Sequence, residues 1–215
     1  MAKEPRMINL KSPLLLLSLL LGLSAFAACA TTFTLSSEPI EGMVLEEGTN
    51  KPVPGAIVVV RWQGHLGYSG TVCYHVETTM ADAEGKYRLP AWSKPSPYGN
   101  ISDRTWLSSA YKPGYQYARV QRTKGIDILQ PFAGGRGERM KIVRTASVSC
   151  GSAGESKKNL LPLYRTLYEE ARALAATKED KAIVNNFLYK IDLIELSYEE
   201  AEKRNVERSN ALRRE

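Results

Sequence analysis

Between Pro39 and Ala146, short β-branched or aromatic runs are cut again and again by Gly, Pro, Asn and Asp clusters, and that punctuation confines the segment to a β fold. Residues 40–45 read as a first strand, ended by Glu46-Glu47-Gly48-Thr49-Asn50. Pro54-Gly55 suits a turn with positive φ at its second central residue. Residues 56–63 (AIVVVRWQ) form the strongest strand, with Val58, Val60 and Trp62 on one face. Strict alternation over residues 71–81 puts Tyr74, Val76 and Met80 on one side and Cys73, His75 and Glu77 on the other.

Asp82-Ala83-Glu84-Gly85 turns the chain into a strand at 86–89, and the three prolines of residues 90–99 predict a loop. Residues 104–111 are a further strand, Lys112-Pro113-Gly114 a turn, and 115–121 its expected partner. Gly134 to Gly137 breaks the chain, and 138–146 supplies a seventh strand. About seven short strands at this spacing predict a two-sheet antiparallel sandwich.

After Cys150 the period changes. Leu160, Tyr164, Leu167, Ala171 and Leu174 step by three or four, the signature of one helix face. Pro162 is tolerated only in a first turn, so this helix begins close to Asn159. Thr177-Lys178-Glu179-Asp180 reads as a new N-cap with acids in the first turn, opening a second run through Ile183, Phe187, Ile191, Ile194 and Tyr198. From Glu199 the chain is dominated by charge, as in a solvated helix or a frayed tail. The expected organisation is a leader at 1–28, a tether at 29–37, a sandwich at 38–149 and a helical hairpin with a charged tail at 150–215.

The leader has a basic start (Lys3, Arg6, Lys11), an apolar stretch at 13–26 and a small-residue end, which together are a secretory signal. The stretch is short of the roughly 20 apolar residues that cross a bilayer. Ala27-Ala28-Cys29 resembles the lipobox of bacterial lipoproteins, in which the cysteine is lipidated and becomes the mature N-terminus. Phe26 stands where that pattern prefers Leu, Val or Ile, which leaves ordinary cleavage after Ala27 as the rival. Lipidation at Cys29 with Ala30 following implies an outer-membrane protein facing the periplasm, its contact with the membrane made through the lipid.

Three cysteines in an exported chain leave one over. With Cys29 lipidated, Cys73 and Cys150 remain to form a disulfide in an oxidising compartment. Removal of residues 1–28 takes the formal charge from +6 to +4, with 26 Lys and Arg against 22 Asp and Glu. So mild a balance points away from nucleic acid.

Three stretches of the sandwich carry a family resemblance. Ile40-Glu41-Gly42-Met43-Val44 followed by Lys51-Pro52-Val53-Pro54-Gly55-Ala56-Ile57-Val58-Val59 resembles the opening of carboxypeptidase regulatory-like domains. Thr79-Met80-Ala81-Asp82-Ala83-Glu84-Gly85-Lys86-Tyr87 resembles their T-x-x-D-x-x-G-x-Y/F hairpin, and Lys112-Pro113-Gly114-Tyr115 their later K-P-G-Y turn. The resemblance covers residues 38–121 and implies a seven-stranded transthyretin-like (prealbumin-like) sandwich used as a non-catalytic accessory or binding module. The helices after Cys150 lie outside it.

The chain offers no catalytic set and implies no cofactor. Hydroxyisourate hydrolase, which shares the implied fold, ends in Tyr-Arg-Gly-Ser, a motif that Leu212-Arg213-Arg214-Glu215 does not match. Neither histidine has a nominated partner for a serine or cysteine nucleophile. His65 and His75, with Cys73, are weak candidates for a metal site because their spacing matches no compact ligand pattern. Trp92 and Tyr98, in the proline-rich loop, are candidate ligand contacts: exposed aromatics there can stack on a sugar, making a glycan or another envelope protein the expected partner. The leading expectation is a non-enzymatic, lipid-anchored binding or scaffolding protein. Its rival is a soluble periplasmic enzyme or metal-binding protein on the same sandwich.

Overall fold

The computed structural model describes residues 33–67, 70–118, 124–150 and 155–214. The leader and Cys29 lie outside the described residues. Among the described residues nine strands form three sheets, followed by helices. The strands are β1 (Thr34–Ser37), β2 (Ile40–Glu46), β3 (Ile57–His65), β4 (Thr71–Met80), β5 (Lys86–Leu89), β6 (Trp92–Pro95), β7 (Ser102–Tyr111), β8 (Tyr115–Tyr117) and β9 (Ile126–Pro131). The helices are α1 (Arg136–Thr145), α2 (Glu155–Lys158), α3 (Leu161–Leu174), α4 (Lys178–Glu195) and α5 (Tyr198–Arg214).

Sheet β5-β2-β9-β8 faces sheet β4-β3-β7 across one core, and the helices cover the other side of the second sheet. The central strand explains this layering. Val58, Val60 and Trp62 enter the core between the sheets, while Ile57 and Val59 enter a second core against the helices. A strand buried on both faces reads as a continuous apolar run, which residues 56–60 are. Of the helix stripe, Leu160, Tyr164, Leu167 and Ala171 are buried in the second core, with Phe187 and Ile191 from α4. Thr177 caps α4 as expected: its hydroxyl accepts from the Asp180 amide at 3.1 Å.

The structure corrects several boundaries. Residues 34–37, expected in the tether, form β1 and pair antiparallel with β6 inside the expected proline loop. Leu35, 2% exposed, is the anchor that draws this segment in. Pro90 and Pro97 fall outside β6 and Pro95 ends it, on a two-stranded sheet where a missing donor is tolerated. β8 pairs not with β7 but with β9, and β9 runs parallel to β2.

Of residues 138–146, expected as the seventh strand, 138–145 instead belong to helix α1, with Ala146 as its C-cap. Arg139, Met140 and Val143 are buried on one face of it at helical spacing, and the Glu138 carboxylate accepts from the Gly135 amide at 3.2 Å. The helical layer therefore starts before residue 150, and the expected hairpin with a tail is the short α2 followed by three longer helices, α3 to α5. The charged end is α5, held to α4 by Arg208 on the buried Asp192 at 2.7 Å.

Candidate functional site

A cleft of about 380 Å³ opens where the helices stop covering the second sheet. Its walls come from Arg61 of β3, Ser109 and Tyr111 of β7, Tyr115 and Tyr117 of β8, Ile142 of α1 and the segment 146–149. Alternation along β3 sets Arg61 on the helix side with Ile57 and Val59. Among the described residues, two cationic side chains, Arg61 and Lys112, and no carboxylate line the cleft. Lys112 is engaged: its ammonium donates to the Pro54 carbonyl at 2.7 Å and lies 5.4 Å from the Tyr115 ring centroid. Arg61 Nε is buried without an acceptor, and Arg61 makes no ion pair among the described residues.

The rim of this cleft is rigid. Arg139, 4% exposed, donates through Nε and one terminal nitrogen to the two carboxylate oxygens of Glu170, at 2.6 and 3.0 Å. Its guanidinium also donates to the carbonyls of Tyr115 and Lys112. Tyr111 completes the set by donating its hydroxyl to Glu170; burial and that carboxylate push the phenol well above its ordinary range. A buried arginine that bonds through all three nitrogens fixes α1, α3 and the Lys112–Tyr115 turn as one unit. On the far side, Tyr164 donates to the Val148 carbonyl at 2.6 Å and Lys190 to the Ser147 hydroxyl. Burial among Tyr164 and Phe187 pulls the Lys190 ammonium below its usual range.

Under the floor, Asp127 is 1% exposed and accepts from the hydroxyls of Tyr87, at 3.2 Å, and Tyr117. That pairing fixes Tyr117 at the cleft wall.

The expected site residues are distributed differently. Cys73 and Cys150 form a disulfide, with Cα atoms 5.1 Å apart, joining β4 to the segment after α1. His75 is not beside Cys73. Strand β4 carries one extra residue, Tyr74, opposite the Trp62–Gln63 step of β3, so Cys73 packs on the helix side and His75 against Trp62 and Trp92. His75 Nδ1 lies 3.0 Å from the Lys94 ammonium, and Nε2 lies 3.0 Å from a Glu77 carboxylate oxygen. His65 is exposed at the end of β3, three residues along from the level of His75, or about 10 Å. Among the described residues no group of three or more His, Cys, Asp or Glu is placed to hold a metal ion.

Trp92 stands edge-on to Trp62, with ring centroids 5.4 Å apart, and Tyr98 packs on the margin of the sandwich core. Neither lines the cleft. Arg61, Ser109 and Ile142 carried no sequence signal as a site: they are scattered across three elements and ordinary in type.

No family model matches the chain, and no curated protein does. Among solved structures, a 9R-lipoxygenase from Cyanothece PCC8801 aligns at 12% identity over 80% of this chain, with a TM-score of 0.25. The aligned part spans 31% of that protein, and a likeness so weak carries no argument.

Proposed function

We propose that this chain is a non-catalytic cell-envelope protein, anchored through a lipid on Cys29, that uses a carboxypeptidase regulatory-like, transthyretin-like sandwich as a binding or scaffolding module. The observation that carries the reading is the Cys73–Cys150 bond, which belongs to an oxidising compartment and agrees with the leader. With that pair formed, Cys29 is the remaining thiol, as a lipobox requires.

The three stretches that resemble the family fall on turns that do structural work. Gly55 takes φ +70° after Pro54. Asp82 accepts from the amides of Glu84 and Lys86 at 3.0 and 2.7 Å, with Gly85 at φ +73°. The Lys112–Tyr115 turn is the one gripped by Arg139. In this reading the cleft beside that turn is the binding surface, the partner is a small molecule or an envelope component, and the protein faces the periplasm from the outer membrane.

The test is the intact mass of membrane-extracted protein, reduced and unreduced, beside a Cys29→Ser control. A diacylglyceryl adduct on Cys29 and the loss of two hydrogens at Cys73 and Cys150 are expected. A soluble product beginning at Ala28, with Cys29 unmodified, overturns the anchor and favours the soluble periplasmic alternative.

A further inference from the structure

We infer that the cleft binds a small organic monoanion, a carboxylate with an apolar body, held by Arg61. The inference rests on the reading of the cleft as a binding surface and not on the lipid anchor. Three observations combine. Arg61 lines the cleft and its guanidinium makes no hydrogen bond or ion pair among the described residues, with Nε itself buried and unpaired. The walls around it carry no competing carboxylate, since the nearby Glu170 and Asp127 are taken up by Arg139 and by the two tyrosines. Val59, Ile142, Val148 and Leu163 supply an apolar part of the wall for a hydrocarbon or ring, beside serine, threonine and glutamine side chains.

Charge selects the anion. Lys112 keeps its charge but directs its ammonium to the Pro54 carbonyl, so Arg61 is the cationic group of the described walls left to bond the ligand directly, and the positive charge of the cleft favours an anion. The planar fork of arginine matches a carboxylate in two parallel hydrogen bonds. The volume, about 380 Å³, is at the small end for ligand sites and suits a single ring or short chain.

The experiment is calorimetric titration of the full chain, purified from whichever cell fraction holds it, with 3-phenylpropanoate, 3-phenylpropan-1-ol and phenyl phosphate. The carboxylate is expected to bind at least tenfold more tightly than the alcohol, and more tightly than the phosphate at pH 8. Arg61→Met is expected to abolish the preference of acid over alcohol, Arg61→Lys to keep part of it, and Ser149→Trp, at an exposed wall position, to block both ligands. The melting temperature of unliganded Arg61→Met is expected to be no lower than that of the parent, because no internal partner is lost. Equal binding of acid and alcohol, both blocked by Ser149→Trp, overturns the anion preference and leaves the cleft as the binding surface. Tighter binding of the phosphate overturns the carboxylate assignment. Binding of none of the three overturns both the inference and the cleft.

Discussion

Cys73 and His75 sit two residues apart on one strand and face opposite layers of the protein. The residue between them, Tyr74, is the extra residue of a β-bulge and fills the sandwich core at 2% exposure. The half-step it introduces brings the Cys73 sulfur to the helix side, where Cys150 meets it. The bond closes a separation of 77 residues, and in the chain-entropy model such closure contributes about 4 kcal/mol. The double variant Cys73→Ser/Cys150→Ser is expected to lose stability of that order in urea unfolding, measured against the parent with its bond formed. An unchanged midpoint would show that the bond constrains little.

The Arg139–Glu170 pair predicts a pronounced asymmetry between single and double variants. Arg139→Met leaves the Glu170 carboxylate buried without its main partner, and a loss of about 3–5 kcal/mol is expected. Arg139→Met/Glu170→Leu removes both charges together and is expected to recover most of that loss. A double-mutant cycle measured by urea unfolding checks it, and additive single effects would contradict a coupled pair.

Asp180 joins three helices. It accepts from Arg136 of α1 at 2.6 Å and from the amides of Ala176 and Thr177 between α3 and α4. Arg136 first, then those amides, lower its carboxyl from 3.8 to about 2. Because the folded value is the lower one, the unfolded chain takes up the proton first as pH falls. The contribution of Asp180 is therefore complete above about pH 4 and is lost between about pH 4 and pH 2. The melting-temperature gap between the parent and Asp180→Asn is expected to be constant from pH 7 to 5 and to narrow below pH 4. A gap that does not change with pH refutes the assignment.

Two glycines in the described part give opposite expectations for the same substitution. A Cβ on Gly42 would lie 2.3 Å from the Tyr87 ring and 2.5 Å from the Gly125 carbonyl oxygen, so Gly42→Ala is expected to cost about 1–3 kcal/mol. Gly137 lies in α1 with nothing within 4 Å of the added atom, and Gly137→Ala is expected to gain about 0.5 kcal/mol. Thermal melts of the two variants decide it.

The sandwich texture, the central strand and the α3 and α4 stripes were legible because their buried residues are apolar at regular spacing. β9 and α1 were misread for one cause, polar groups turned inward, whereas β1 rests on a single apolar anchor, Leu35, too little to mark a strand. In β9 the inward residues are Asp127 and Leu129, while Ile126 is 37% exposed, so hydropathy marks the wrong face. Asp127 is stable there because two tyrosine hydroxyls, supplied from β5 and β8, donate to it. In α1 the inward row contains Arg139, whose acceptors come from β8, the turn before it and α3. The bulge at Tyr74 is likewise a property of two paired strands, and nothing in β4 alone announces it. The cleft was illegible for the same reason: Arg61 is an ordinary strand residue until β7, β8 and α1 gather round it.

The position of the disulfide also decides what a protease can do to this molecule. Cys73 and Cys150 bracket β5 to β9 and α1, so a single cut anywhere between them leaves two polypeptides still covalently joined. A nick there releases no fragment until the bond is reduced, whereas a cut after Cys150 frees the distal helices outright. The sandwich loops between the two cysteines are therefore the part of the chain that can be clipped without being shed.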